Sequence, residues 1–171
     1  MSYQMHSIKV LLVEDNGAMQ ELVKSLLLSF GITTVFTADT AEKAFDILQR
    51  KNPDLVITDW MLKPVDGIEL TRKIRTDTRS PNEFVPIIMM TGFCEATRVM
   101  HARDCGITEF LVKPFTARDL YRRLVECIER PRQFVRCKGF FGPDRRRQET
   151  ANYSGVDRRS SAANSLEKVY I

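Results

Sequence analysis

Five side chains in this sequence could act together: Glu14, Asp15, Asp59, Thr91 and Lys113. Each follows a run of mostly apolar residues. Glu14-Asp15 follows Ile8-Lys9-Val10-Leu11-Leu12-Val13, and Asp59 follows Leu55-Val56-Ile57-Thr58. Thr91 follows Val85-Pro86-Ile87-Ile88-Met89-Met90, and Lys113 follows Phe110-Leu111-Val112. If these runs are parallel strands joined by helical crossovers, their carboxyl ends share one edge and the five side chains meet in one crevice. Three carboxylates, a hydroxyl and an ammonium suit a divalent cation and a phosphoryl group. Hard Mg²⁺ takes oxygen ligands, commonly one or two carboxylates with waters and phosphate oxygens. Asp15 and Asp59 can supply the carboxylates, with Glu14 holding a ligated water. Asp59 is placed to attack phosphorus and form an aspartyl phosphate. Such a transfer needs charge neutralisation on the equatorial oxygens and in-line placement. Mg²⁺ would serve one oxygen, the Lys113 ammonium a second and the Thr91 hydroxyl a third. Gly92 would let its N–H come close. Carboxylates gathered without a counter-charge raise one another's pKa. Lys113-Pro114 is a candidate cis peptide that would set the direction of the lysine.

The elements that must position these groups follow from periodicity. A strand is expected at 8–13, then a helix with Met19, Leu22, Val23, Leu26, Leu27 and Phe30 at helical spacing, stopped by Gly31. A short strand near 33–37 precedes a helix capped by Asp39 or Thr40, with Ala41, Ala44, Phe45 and Leu48 inward. Asn52-Pro53 ends that helix before the strand at 54–58. Asp66-Gly67 opens a helix with Ile68, Leu70 and Ile74 inward, and a polar stretch leads to the strand at 85–90. A weaker helix pattern covers 95–105, a fifth strand 110–112, and Thr116 caps a last helix to about 129. The strands are nearly continuous apolar runs, as when helices cover both faces. Five such βα units imply an α/β three-layer sandwich.

The bulk numbers agree with that reading and exclude others. A chain of 171 residues, 43% hydrophobic and 28% charged, has the composition of an ordinary soluble domain with an appendage. No apolar run approaches the ~18 residues of a membrane span, and residues 1–6 lack the features of a secretion signal. Cys94, Cys105, Cys127 and Cys137 match no zinc or redox spacing and read as reduced cytosolic thiols. His6 and His101 have no ligand partner at helical spacing. The net charge of +4 is a property of the tail: residues 131–171 hold nine Lys/Arg against four Asp/Glu, while the first 130 residues net −1. Division into 7–130 and 131–171 follows. The tail is rich in Arg, Gly, Ser and Asn and is expected to be mostly disordered, with room for a short helix near 161–169. It carries a near-repeat offset by 13 residues, Phe141-Gly142-Pro143-Asp144-Arg145-Arg146 and Ser154-Gly155-Val156-Asp157-Arg158-Arg159.

Segment 7–130 resembles CheY-like response-regulator receiver domains. The resemblance rests on Glu14-Asp15, Asp59 followed by Pro64 and Gly67, Thr91-Gly92 and Lys113-Pro114-Phe115. It implies a doubly wound five-stranded parallel sheet in the order 2-1-3-4-5. It also implies that Asp59 is the phospho-acceptor and that Asp15, Asp59 and the Met61 carbonyl hold Mg²⁺ with help from Glu14. Lys113 would pair with the phosphoryl group, and Thr91 and Phe110 would move together as the switch. Gly92 departs from the commoner alanine. The implied class is a cytoplasmic signalling protein, not an enzyme, served by a histidine kinase. No nucleophile elbow is present, and Met61 stands where a phosphatase of this chemistry would carry a second Asp.

The tail needs its own account. Arginine planes stack on purines and fork onto phosphate oxygens, and an adjacent Asp can accept from the N–H edge of guanine. Two Asp-Arg-Arg units could therefore take a ligand with two guanines and two phosphates. With its receiver, this tail resembles the Cle proteins, CheY-like effectors that bind cyclic di-GMP through an arginine-rich C-terminal segment. That resemblance implies Asp144, Arg145, Arg146, Arg147, Asp157, Arg158 and Arg159 as ligand-binding residues. It implies a flagellar motor switch protein as partner and recruitment to the flagellated pole. If the tail docks on the face around the last strand and its flanking helices, ligand could replace phosphorylation as the switch. Two alternatives stay open: a plain phospho-relay receiver whose tail is a linker, and a basic-tail nucleic-acid binder. The second is disfavoured because four acids dilute the nine bases.

Overall fold

The computed structural model describes residues 5–92, 104–137, 140–144 and 167–169. Five parallel strands form one sheet: β1 (Lys9–Val13), β2 (Thr34–Ala38), β3 (Leu55–Asp59), β4 (Ile87–Thr91) and β5 (Glu109–Val112). Their order is β2-β1-β3-β4-β5, as expected, with parallel register throughout, for example Leu11↔Phe36, Leu11↔Val56 and Asp59↔Met90. Among the described residues four helices flank it: α1 (Gly17–Ser29), α2 (Ala41–Lys51), α3 (Gly67–Thr76) and α4 (Ala117–Glu129). The segment expected as a helix at 95–105 lies largely outside the described residues.

Successive side chains of a strand point to opposite faces, so each strand feeds two cores. Val10, Leu12, Leu55, Ile57, Ile88, Met90 and Leu111 pack with Val23 and Leu27 of α1 and Leu120 and Leu124 of α4. Leu11, Val13, Val56 and Ile87 face the other way, against Ala44, Phe45 and Leu48 of α2 and Leu70 and Ile74 of α3. Both faces are covered, which explains runs that are apolar without alternation. The helix starts are set by side-chain caps. Asn16, Thr40, Asp66 and Thr116 each accept the N–H of the residue three ahead, satisfying an orphan donor of the first turn. At α4 the Thr116–Asp119 pair forms a reciprocal capping box.

Within the tail the described residues form short strands, which the sequence reading did not place. β6 (Phe134–Cys137) and β7 (Phe140–Pro143) form an antiparallel hairpin, and β8 (Glu167–Val169) pairs with the free edge of β6. The helix considered near 161–169 is therefore strand at 167–169. The reason is local: Phe134, Val135, Phe140 and Phe141 supply the apolar and β-branched content a hairpin needs, in a segment whose mean composition is polar. The hairpin docks beneath the amino-terminal edge of β4 and β5, opposite the strand ends that carry Asp59 and Thr91.

Arg75, at the end of α3, ties this junction together. It is 3% exposed, and its guanidinium donates to the carbonyls of Gly106 (3.0 and 2.9 Å), Glu83 (2.7 Å) and Val85 (2.8 Å). Burial pushes its pKa down to about 9, with Glu83 opposing, and at neutral pH it remains charged. Its plane lies 5.0 Å from the Phe134 ring centre, and Phe134 meets Phe84 at 5.3 Å and Phe141 at 5.6 Å. Gly106, at φ +97, has Phe141 O only 3.2 Å from where a Cβ would stand, so both its backbone angle and the docked hairpin require glycine. Buried Glu109 pairs with Arg123 of α4 (2.9 Å) and with Arg132 of the tail.

Candidate functional site

At the carboxyl edge of the sheet, β1 delivers Glu14 and Asp15, β3 delivers Asp59, β4 delivers Thr91, and Lys113 follows β5. One carboxylate oxygen from each of Glu14, Asp15 and Asp59 lies within 4.8 Å of the others. Glu14 is 2% and Asp59 6% exposed, while Asp15 is open to solvent. Lys113 Nζ reaches over from the end of β5 and donates to Glu14 Oε2 and to Asp59 Oδ1, both at 2.9 Å. Its own N–H donates to Thr91 O at 2.7 Å, which holds the β4 and β5 ends together. The Lys113–Pro114 bond is cis, as is Lys63–Pro64.

The electrostatics follow from burial and pairing. Burial raises the pKa of Glu14, and the Asp59 charge adds to this, against the opposing contact with Lys113. For Lys113, burial works to lower the pKa, but the hydrogen bonds and charges of Asp59 and Glu14 outweigh it and the net shift is upward. The lysine thus stays an ammonium and partly neutralises three converging acids. The oxygen set (two buried carboxylates and one exposed, all within ligand reach of a common point) fits a hard divalent cation. Four of the groups anticipated from strand-end positions, Glu14, Asp15, Asp59 and Lys113, are brought together, and buried Thr91 ends the adjacent strand β4. Phe110 lies on β5, packed with Trp60 and Cys105 against Ile68, Met89 and Ile107. Met61, whose carbonyl was expected to face the metal, has an exposed side chain.

Two supports brace the strand ends at the site, one at Gly67 that the sequence singled out and one at Gln20 that it did not. At Gly67 a Cβ would fall 2.2 Å from Asp59 O. Its N–H donates to Trp60 O at 2.9 Å. The start of α3 is thereby pressed against the strand end that carries Asp59. Gly92 makes no such demand, because a Cβ there would meet nothing within 4 Å. The close approach expected at Gly92 is not imposed by its protein neighbours. The feature that sequence reasoning missed is Gln20 in α1. Its amide donates to Glu14 O (3.0 Å) and Ala38 O (3.2 Å), clamping the ends of β1 and β2 behind the acidic pair. Nothing in a glutamine in a first helical turn announces such a role.

Of the tail residues, Asp144 is described: its N–H donates to Gln133 O at 2.7 Å. Arg145, Arg146, Arg147, Asp157, Arg158 and Arg159 lie outside the described residues. No helix among the described residues is long and apolar enough to cross a membrane.

Comparison with known proteins places this geometry. Residues 10–125 match the family model described as the response regulator receiver domain. The chemotaxis protein CheY of Pseudomonas aeruginosa is 32% identical over 123 residues, 72% of this chain and 98% of that protein. CheY-3 of Vibrio cholerae is 32% identical over 124 residues, 72% and 94% of the two chains. Among solved structures, CheY4 of Vibrio cholerae superposes with a TM-score of 0.65 at 27% identity, covering 71% of this chain and 98% of that one. The receiver domain of a sensor histidine kinase from Pseudomonas aeruginosa, solved with a magnesium ion coordinated in its active-site cleft, gives a TM-score of 0.62 at 30% identity, covering 70% and 95%.

Proposed function

The chain belongs to the response regulator receiver domain family, and on that premise we propose that it is a cytoplasmic single-receiver regulator. It accepts a phosphoryl group on Asp59 and binds cyclic di-GMP through the arginine-rich tail. The observation that carries the first half is the lysine-bridged acidic cluster: Glu14, Asp15 and Asp59 within ligand distance and Lys113 at 2.9 Å from two of them. Asp15, Asp59 and the Met61 carbonyl, assisted by Glu14, would hold Mg²⁺, which when bound neutralises phosphoryl oxygen charge. An Asp59 carboxylate oxygen forms the bond to phosphorus as the donor's leaving group departs with its electron pair. Lys113 exchanges its carboxylate partner for a phosphoryl oxygen, and the Thr91 hydroxyl donates to another. Thr91 and Phe110 then report the change to the face around β5 and its neighbouring helices. By this reading a histidine kinase is the donor, and the output is binding to a flagellar motor switch protein near the flagellated pole.

The second half rests on the repeated Asp-Arg-Arg units, Asp144-Arg145-Arg146 with Arg147, and Asp157-Arg158-Arg159. Their chemistry, two guanidinium forks beside an acid, suits a guanine dinucleotide. Calorimetric titration of cyclic di-GMP, with GTP as competitor, tests it on the intact chain and on a chain ending at Asp144. Ending at Asp144 retains the docked hairpin, whereas ending at Pro131 would strip Phe134 and Arg132 from Arg75 and Glu109. Saturable binding lost on truncation is expected; no binding by the intact chain overturns the nucleotide reading. Phosphorylation is tested separately with a small phosphodonor and Mg²⁺: the intact chain gains one phosphoryl mass and Asp59→Asn does not. Equal labelling of both would remove Asp59 from the role.

A further inference from the structure

A cavity of about 420 Å³ opens at the amino-terminal edge of the sheet, where the hairpin meets the receiver. It lies at the opposite end of the strands from Asp59, roughly 13 Å away over a five-residue strand. Its size falls toward the small end of the roughly 300–1,000 Å³ of ligand pockets. Both parts of the chain build it. Ile8, Phe84 and Pro86 come from the receiver, Ile128 from the end of α4, and Pro131 and Phe134 from the start of the tail. Much of the lining is therefore apolar and partly aromatic.

Besides Arg132, whose guanidinium is paired with Glu109, the polar groups at this cavity are of complementary kinds. Asp54 accepts the Lys9 N–H on one carboxylate oxygen (2.8 Å), which leaves the other to accept. Thr108, 6% exposed, accepts the Ile87 N–H at 3.0 Å and keeps its hydroxyl proton to donate. Asn82 accepts the Phe84 N–H through its oxygen (2.9 Å) and keeps its amide N–H groups. An acceptor carboxylate with hydroxyl and amide donors, between apolar walls, is the complement of a planar heterocycle that carries N–H donors and ring acceptors on its edge. Guanine has both. The rim of the same cavity includes Gln133, whose carbonyl holds the Asp144 N–H at 2.7 Å. In sequence the arginine run follows Asp144 directly.

We propose that this cavity is the receiver-side half of the nucleotide site and takes one guanine base of the ligand, with Asp54 accepting from the base and Thr108 and Asn82 donating to it. This rests on the nucleotide reading above and extends it: the receiver itself contacts the ligand, at the feet of β4 and β5. A base at that position would also touch both Phe84 and Phe134, whose rings already pack across the junction.

The test compares cyclic di-GMP affinity of the intact chain with that of Asp54→Asn and Gln133→Phe. The first keeps an oxygen for the Lys9 N–H and removes the charge. The second fills the mouth and leaves the Gln133 backbone carbonyl in place for Asp144. Thermal unfolding and Mg²⁺ titration followed by Trp60 fluorescence check that each variant is folded. The expected result is a tenfold or greater loss of affinity in both variants, with ligand-induced shifts of the Ile8 and Ile128 methyl resonances in the intact chain. Tight binding by the intact chain and by both variants alike would overturn the base slot and leave the tail reading standing. No binding by the intact chain would overturn both.

Discussion

Replacing Phe134 by alanine tests whether the hairpin is part of the receiver's cooperative unit. The ring is 3% exposed, meets Phe84 at 5.3 Å and Phe141 at 5.6 Å, and lies 5.0 Å from the buried Arg75 guanidinium. Phe-to-Ala changes at such sites cost about 3–5 kcal/mol, the larger values arising where neighbours cannot collapse into the space. Collapse is restricted here because Arg75 is fixed by four hydrogen bonds to carbonyls of Gly106, Glu83 and Val85. A cation–π contact in a desolvated setting adds about 1–2 kcal/mol of attraction that alanine cannot make. A loss near 4 kcal/mol is therefore expected, which for a chain of this size lowers Tm by roughly 8–16 °C. Urea unfolding of intact and substituted protein, read by Trp60 fluorescence and by far-UV dichroism, measures it. A single coincident transition moved to lower urea supports the reasoning. A loss below about 1 kcal/mol, or an unmoved receiver transition, would refute it and make the hairpin a separately folding attachment.

Four further expectations concern the site and its surroundings. Gly67→Ala places a Cβ 2.2 Å from Asp59 O, so α3 must shift. Stability should fall by about 1–3 kcal/mol, with weaker Mg²⁺ affinity measured by Trp60 fluorescence; unchanged affinity would show that the strand end does not depend on this contact. Gln20→Ala removes two bonds behind the acidic pair and should cost about 1–2 kcal/mol and weaken Mg²⁺ binding, whereas wild-type affinity would deny Gln20 a positioning role. Glu14 has a folded pKa raised above 4.5 by burial, so the stability tied to its proton is complete below that value and is lost as pH rises through the folded pKa. In chelator-treated buffer, Glu14→Gln should therefore gain on the wild type as pH rises, and a constant difference would refute the assignment. Burial pushes the Cys127 thiol up to about 12, so alkylation of native protein at mildly alkaline pH should spare it until denaturant is added; prompt native labelling would contradict the packing.

The alternation of elements and the strand-end acidic cluster were legible in the chain because each depends on local signals. Apolar runs bounded by caps such as Asp66 and Thr116 declare strands and helix starts, and a parallel sheet brings its strand ends together whatever the detailed packing. Glu14, Asp15, Asp59, Thr91 and Lys113 could be found from position alone for that reason. The partnering of those groups was not legible. Which carboxylate Lys113 chooses, and the balance that leaves Glu14 raised and Lys113 charged, depend on distances of a few ångströms and on burial that one-dimensional spacing does not carry.

The junction with the tail was decided by tertiary structure almost entirely. Arg75 reads as an ordinary solvated residue near the end of a helix, and Glu109 as a charge at the start of a strand. Only the fold brings Gly106, Glu83 and Val85 around the first, and Arg123 and Arg132 around the second. The hairpin itself was hidden by averaging, since Phe134, Val135, Phe140 and Phe141 are four residues in a segment dominated by arginine and small polar residues. Short strands without a strong period gain their stability from the surface they cover. That surface, the feet of β4 and β5, exists only once the sheet has formed. The sequence by itself determined the alternation of strands and helices and the chemistry at one edge, with the strand order supplied by resemblance; the tertiary structure decided that the other edge would be occupied by the chain's own tail.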